Sequence, residues 1–264
     1  QGAPELALKN VKVTRENEGF SLAFTIVQLQ DGPPYQLEVP VSIQLETITQ
    51  PRKLLLTMTQ KEESFRYSSI TQPARIEVDQ EFDLFRKLDP LETPQTLSRL
   101  LGADKPLFIL PAAAPAETYK AYETFAAAWP VEKGAAAELR KDLEFSALPK
   151  DRQVWILGRE NIFYPALAAG LEPFGARLRP EKTVVDNQEF PHAASTFVFA
   201  GFNPGDSVYS AGLIVTGRPE NLKPLTAKLP HYGKYGYLIF DAAMTAIKTG
   251  GWQPGGHARS PLST

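Results

Sequence analysis

Two hydrophobic periods divide this chain. From Leu6 to Val78 apolar residues recur at every second position, most cleanly at Leu37, Val39, Val41, Ile43 and Leu45, with Gln36, Glu38, Pro40, Ser42, Gln44 and Glu46 between them. That spacing puts one face of a strand in a core and the other in water. Phe20, Leu22, Phe24 and Ile26 repeat it, as do Leu54, Leu56 and Met58, then Phe65 and Tyr67, then Ile76 and Val78. Turn chemistry separates the runs at Asn17-Glu18-Gly19, Asp31-Gly32-Pro33-Pro34, Gln50-Pro51 and Thr71-Gln72-Pro73. Residues 1–80 are therefore expected to form an antiparallel β-sandwich of about six or seven short strands. The register of apolar positions shifts between Leu8 and Val11, which predicts a bulge near Lys9-Asn10. Pro40 cannot donate to a ladder, so its strand is expected to be an edge, or Pro40 to face outward at a bulge.

After Glu81 the period changes. Phe82, Leu84, Phe85 and Leu88 suit a helical turn or packed linker, and Thr93-Pro94 ahead of residues 95–101, with Gly102 behind, marks a short helix. Residues 81–104 read as a docked junction. From 105 to 250 short apolar runs alternate with helical stripes: strands at 106–110, 153–157, 195–200, 212–216 and 237–240, and helices at 116–129, 135–143 and 162–169. The unit from Ala211 to Asp241 reads as strand, loop, helix, strand, and continuous apolar runs of this kind suit parallel strands covered on both faces. The expected fold is thus α/β plus all-β, the sandwich being followed by a Rossmann-like α/β domain with a mostly parallel sheet. A hairpin is predicted over 183–190, turning at Asp186-Asn187, and the tail 251–264, rich in Gly and Pro, is expected to be irregular.

Composition narrows function by exclusion. The 264 residues are 43% hydrophobic, enough to build real cores, and the formal net charge of -2 gives no cationic footprint for nucleic acid or an anionic membrane surface. The absence of cysteine removes disulfides, thiolate metal sites and thiol nucleophiles together. No apolar run approaches the roughly 18 residues of a membrane span. The chain opens on Gln1 with no Met, and is expected to be a fragment of a longer protein. His192, His231 and His257 are scattered, H-E-x-x-H and G-x-S-x-G are absent, and neither a Walker loop nor G-x-G-x-x-G occurs. No catalytic residue, metal ligand or cofactor is therefore assigned.

Candidate binding residues come from two places. Arg159 and Arg218 each follow a predicted strand and precede a helix, where open α/β sheets take ligands, and Asn161 and Asn221 stand beside them as caps. The two stretches echo one another: Trp155-Ile156-Leu157-Gly158-Arg159-Glu160-Asn161 and Ile214-Val215-Thr216-Gly217-Arg218-Pro219-Glu220-Asn221. Two guanidinium groups there would suit a carboxylate or phosphate; alternatively each is a loop charge paired with Glu160 or Glu220. The second place is His231, Tyr232, Lys234 and Tyr235, set among Gly233 and Gly236. Such a loop could line a sugar or peptide pocket, or simply carry a helix into a strand while its rings cover the sheet edge.

Val39-Pro40-Val41-Ser42-Ile43, the strand at 54–58, Phe65, and Pro73-Ala74-Arg75-Ile76-Glu77-Val78-Asp79 together resemble the small β-sandwich that follows the catalytic domain of gluzincin aminopeptidases of the aminopeptidase N type. Asp83-Leu84-Phe85-Arg86-Lys87-Leu88 and Lys228-Leu229-Pro230-His231-Tyr232-Gly233-Lys234-Tyr235 resemble the C-terminal extension of certain bacterial membrane-associated members. No zinc ligand or general-base Glu of that family has a counterpart here. The resemblance implies a non-catalytic accessory module of a secreted or envelope-associated, periplasmic or otherwise extracytoplasmic peptidase-like protein. Its partner would be an upstream peptidase-like domain of the same chain, and its role packing, substrate gating or partner binding. The competing expectation is a stand-alone small-ligand or carbohydrate-binding protein with its site at the strand ends.

Overall fold

The computed structural model describes residues 2–130, 136–252 and 259–262. They form two compact units, residues 1–93 with 254–264 and residues 94–253, so the boundary falls inside the segment read as a junction.

The first unit opens with β1 (Leu6–Glu16), β2 (Gly19–Gln28), β3 (Leu37–Leu45), β4 (Ile48–Met58), β5 (Glu62–Ser69) and β6 (Pro73–Val78), all paired antiparallel. One sheet runs β1-β2-β5, and β3 lies between β4 and β6 in the other. Their inner faces share one core: Leu22, Phe24 and Ile26 from the first, Val39, Val41, Ile43, Ile76 and Val78 from the second. This is the sandwich that the two-residue period predicts. The bulge falls where the apolar register shifts, between Lys9 and Lys12, with Asn10 at φ 51°. Strand β3 is not an edge, however. The β6 ladder begins only at Val41↔Val78, and Pro40 contributes its carbonyl to the Asp79 amide at 2.7 Å. Its ring nitrogen therefore points past the end of β6, where no acceptor goes unmet.

Just beyond β6 the chain buries charge. Arg86, its side chain fully enclosed, donates Nε to Asp79 at 2.7 Å and both terminal nitrogens to Glu92 at 2.9 and 2.7 Å. Asp79, at φ 50°, also accepts the amides of Asp83 and Leu84. Glu92 caps the turn at Asp89. Burial opposes the guanidinium charge, but the two carboxylates hold its pKa above the ordinary value.

The second unit contains α1 (Leu97–Leu101), β7 (Leu107–Leu110), α2 (Ala116–Ala127), β8 (Glu138–Lys141), β9 (Val154–Leu157), α3 (Tyr164–Leu171), β10 (Ala176–Leu178), β11 (Lys182–Val185), β12 (Gln188–Pro191), β13 (Thr196–Asn203), β14 (Asp206–Thr216), α4 (Leu222–Lys228), β15 (Tyr237–Phe240) and β16 (Ala246–Gly250). Among the described residues its main sheet has the order β16-β15-β13-β14-β9-β7-β8. This sheet is mixed, where a mostly parallel one was expected. Strands β8, β7, β9 and β14 pair in parallel, whereas β14-β13, β13-β15 and β15-β16 are antiparallel. The physical reason is that both faces of β13 and β14 are covered. Helices α1, α2 and α4 pack with Val198, Ala200 and Ile214 on one face, and Leu167 and Leu171 of α3 approach Gly201 on the other. A doubly covered strand reads as one continuous apolar run whichever way its neighbours point.

Two further expectations are corrected. The helix expected at 135–143 is instead the edge strand β8, followed by a 3-10 turn at Asp142–Glu144; Ala135 itself lies outside the described residues. Edge strands carry charge on purpose, and Glu138 pairs with Arg140 and Arg152 while Arg140 pairs with Glu144. The tail was expected to be irregular, yet β17 (Arg259–Pro261) pairs antiparallel with β6 and completes the order β17-β6-β3-β4. The predicted hairpin is present as β11-β12, with Asp186 and Asn187 both at positive φ, 50° and 61°, as a tight hairpin turn requires.

Candidate functional site

The C-terminal ends of β8, β7, β9 and β14 lie side by side, and the segments leaving them bury several polar groups. Asp142 is 1% exposed and accepts the amides of Ala112, Leu143 and Ile162 at 2.9–3.0 Å. Asn161, also buried, donates Nδ2 to the Ile109 carbonyl at 2.9 Å while its Oδ1 accepts the Phe163 amide at 3.1 Å. A single amide thus ties the end of β7 to the start of α3. Asn221 is its counterpart after β14, donating to Thr196 Oγ1 at 3.2 Å, but its side chain accepts no helix amide. The sequence echo therefore has different causes in its two copies. Gly158 adopts φ 79° in a spot where a Cβ would strike Glu160, Pro111 and Tyr122, whereas Gly217 is needed because a Cβ would sit 2.4 Å from the His192 carbonyl oxygen.

Arg159 and Arg218 have separate fates. Arg218 is exposed and faces Glu220 at 3.6 Å, the pairing anticipated for a loop charge. Arg159 turns to His192, with Nη1 at 2.9 Å from Nδ1, while Nε2 of the same ring lies 2.8 Å from Thr183 Oγ1. A guanidinium can only donate, so Nδ1 must present its lone pair and the ring must be neutral, with its proton on Nε2. Burial, and after it the charge of Arg159, lowers the pKa of His192 from 6.5 to about 4. Phe197 packs edge-on to the ring at 5.3 Å. Tyr164 is also within the reach of Arg159, and burial nevertheless raises its pKa. Tyr122, wholly enclosed, is raised by burial and then by the charge of Glu160.

The remaining candidates sit at the other end of the sheet. Strands β14 and β15 are both antiparallel to β13 and so run in the same direction, and residues 230–235 precede β15 whereas Arg159 and Arg218 follow β9 and β14. The sequence candidates therefore form two separate groups. Around His231 the backbone itself is in use: the carbonyls of Gly233 and Tyr235 accept the Ser98 and Leu97 amides, both at 2.8 Å, which meets first-turn donors of α1. Tyr232 packs edge-on to Phe240 at 5.8 Å and beside Tyr235 at 5.9 Å, and Lys234 lies 5.1 Å above the Tyr235 ring. His231 is exposed. Its neighbours thus follow the structural alternative, rings over the sheet and carbonyls on a helix.

His192 escaped the sequence reading because its partners are 33 and 9 residues away and none forms a spaced motif. A concavity between two helices was missed as well. It is a groove of about 540 Å³ between α2 and α4, with Phe125 and Leu222 among its lining residues. Its signal was present only as the apolar stripe of α2 meeting that of α4. Among the described residues no group of three or more His, Asp or Glu is placed to hold a metal ion, and no helix is long and apolar enough to cross a membrane. Neither a protein-family model nor a curated protein matches this sequence.

Proposed function

We propose that this chain is a non-catalytic accessory module of an extracytoplasmic peptidase-like protein, serving packing, gating or partner binding. One observation supports this best. The polar groups gathered at the strand ends, Asp142, Asn161, Asn221 and His192, are engaged with backbone amides, carbonyls and neighbouring side chains of the same chain. Catalytic groups need a free lone pair or proton facing a substrate, and these face inward. The resemblance supplies the context: its motif ends at Asp79, whose carboxylate here organises the turn after β6 rather than a reaction. The Rossmann-like reading is proposed only for the co-directional strands β8, β7, β9 and β14 with α2 and α3, on the support of their parallel pairing.

Two measurements test the reading. An open reading frame with a metallopeptidase domain upstream is the expected context, and a thermal-shift panel of sugars, nucleotides and acidic metabolites is expected to leave the melting temperature unchanged. Stabilisation by one of these that disappears in Arg159→Ala would favour the competing reading, a ligand site at the strand ends, since a ligand that binds only the native state raises stability.

A further inference from the structure

The groove between α2 and α4 combines an apolar lining with two charges of opposite sign that the fold leaves unused. Both helices follow parallel strands, β7 and β14, so both begin at the same end of the sheet. Glu117 is in the first turn of α2 and Lys223 in the first turn of α4, and both line the groove. They stand on opposite walls near one mouth. Neither carries an ion pair among the described residues, whereas Lys120 and Glu220, which also line the groove, are paired with Glu123 at 2.6 Å and with Arg218 at 3.6 Å. Ala121, Ala128 and Pro219 give the groove its accessible apolar surface, and Thr124 turns its hydroxyl away into its own helix, bonding the Lys120 carbonyl at 2.8 Å. The groove's volume, about 540 Å³, is in the range of small-molecule sites.

We propose that this groove binds a zwitterion with an apolar body, of the kind presented by a short apolar peptide with free termini. The ammonium group meets Glu117, the carboxylate meets Lys223, and the side chains rest on Ala121, Ala128 and Pro219. The charge pattern selects this class over the alternatives. A purely apolar ligand would leave both charges idle, and a simple anion or cation would use one and be repelled by the other. The inference goes beyond the accessory role and stands or falls separately from it, because it concerns neither the strand-end residues nor an upstream domain.

The test is an NMR titration of the isotope-labelled chain with the dipeptide Leu-Phe, its N-acetyl derivative and its C-terminal amide. The expected result is a set of amide shifts confined to α2 and α4, with each capped peptide binding about two- to fivefold more weakly, the scale of one exposed ion pair. Glu117→Gln is expected to abolish the penalty for N-acetylation and keep that for amidation; Lys223→Gln is expected to do the reverse. Both side chains are exposed, so the variants fold. Shifts away from the groove, equal affinity for all three peptides, or no binding at concentrations that saturate weak sites would each overturn the proposal.

Discussion

The turn that closes the sandwich and the strand ends of the mixed sheet both bury polar side chains, and they do so by opposite means. Arg86 is shared between Asp79 and Glu92 through three side-chain hydrogen bonds, and Asp79 accepts two backbone amides besides. At the strand ends, by contrast, Asn161 and Asn221 carry no charge, Asp142 is matched by backbone amides, and His192 gives up its proton. The first arrangement depends on every member being present. The second is assembled from separate small contributions, and its components fail one at a time. Buried polarity in this chain is thus tied into the fold in both places.

The difference has measurable consequences. The largest is expected from Arg86→Met, which strands two buried carboxylates and costs about 3–5 kcal/mol in denaturant unfolding. If the loss stays below about 1 kcal/mol, the triad is wetter than its geometry implies and the contrast collapses.

Next comes pH. Below 6.5 the unfolded chain protonates His192, while the folded chain does not until about pH 4. Stability from this group is therefore complete above 6.5 and falls as pH drops through that window, by on the order of 3 kcal/mol. Carboxylates also titrate there, so the quantity to measure is the difference between the parent protein and His192→Gln. The variant is expected to show the flatter profile, and parallel profiles would remove His192 from the account.

Smaller again is Asn161→Ala, which leaves the Ile109 carbonyl and the Phe163 amide without their partner and is expected to cost about 1–3 kcal/mol. Arg218→Ala, its echo neighbour's exposed charge, is expected to change stability by less than about 0.5 kcal/mol. Equal effects of the two would mean that burial is not what distinguishes them.

These residues also show how far the sequence could be read. Period-two alternation announced the sandwich because each strand has one wet face, and the bulge at Asn10 and the hairpin at Asp186-Asn187 carried local signals of their own. The stripe of α2 was legible for the same reason: Tyr122, Phe125 and Ala126 are buried on one side. Direction in the mixed sheet was not legible, since cover on both faces erases the alternation that separates hairpins from crossovers. Strand β8 was mistaken for a helix because an exposed edge uses the same Glu, Leu, Arg and Lys that a helix favours. Arg159 and Asn161 lie on a loop, whereas Asn221, His231 and Tyr232 fall in 3-10 turns, and whether an Asn side chain faces water or a distant carbonyl is a tertiary fact. So is the meeting of Arg159, His192 and Thr183, which no spacing foretells.

The central claim is that the polar groups at the strand ends are engaged by the fold itself, and the imidazole of His192 reports on it most directly. Its ring nitrogen and carbon-bound proton shifts, followed by NMR through the acid range, should show a neutral ring protonated on Nε2 that titrates near pH 4. A ring titrating near 6.5 with exchanging tautomers would show that Arg159 and Thr183 do not hold it, and would return the strand ends to candidacy as an open site.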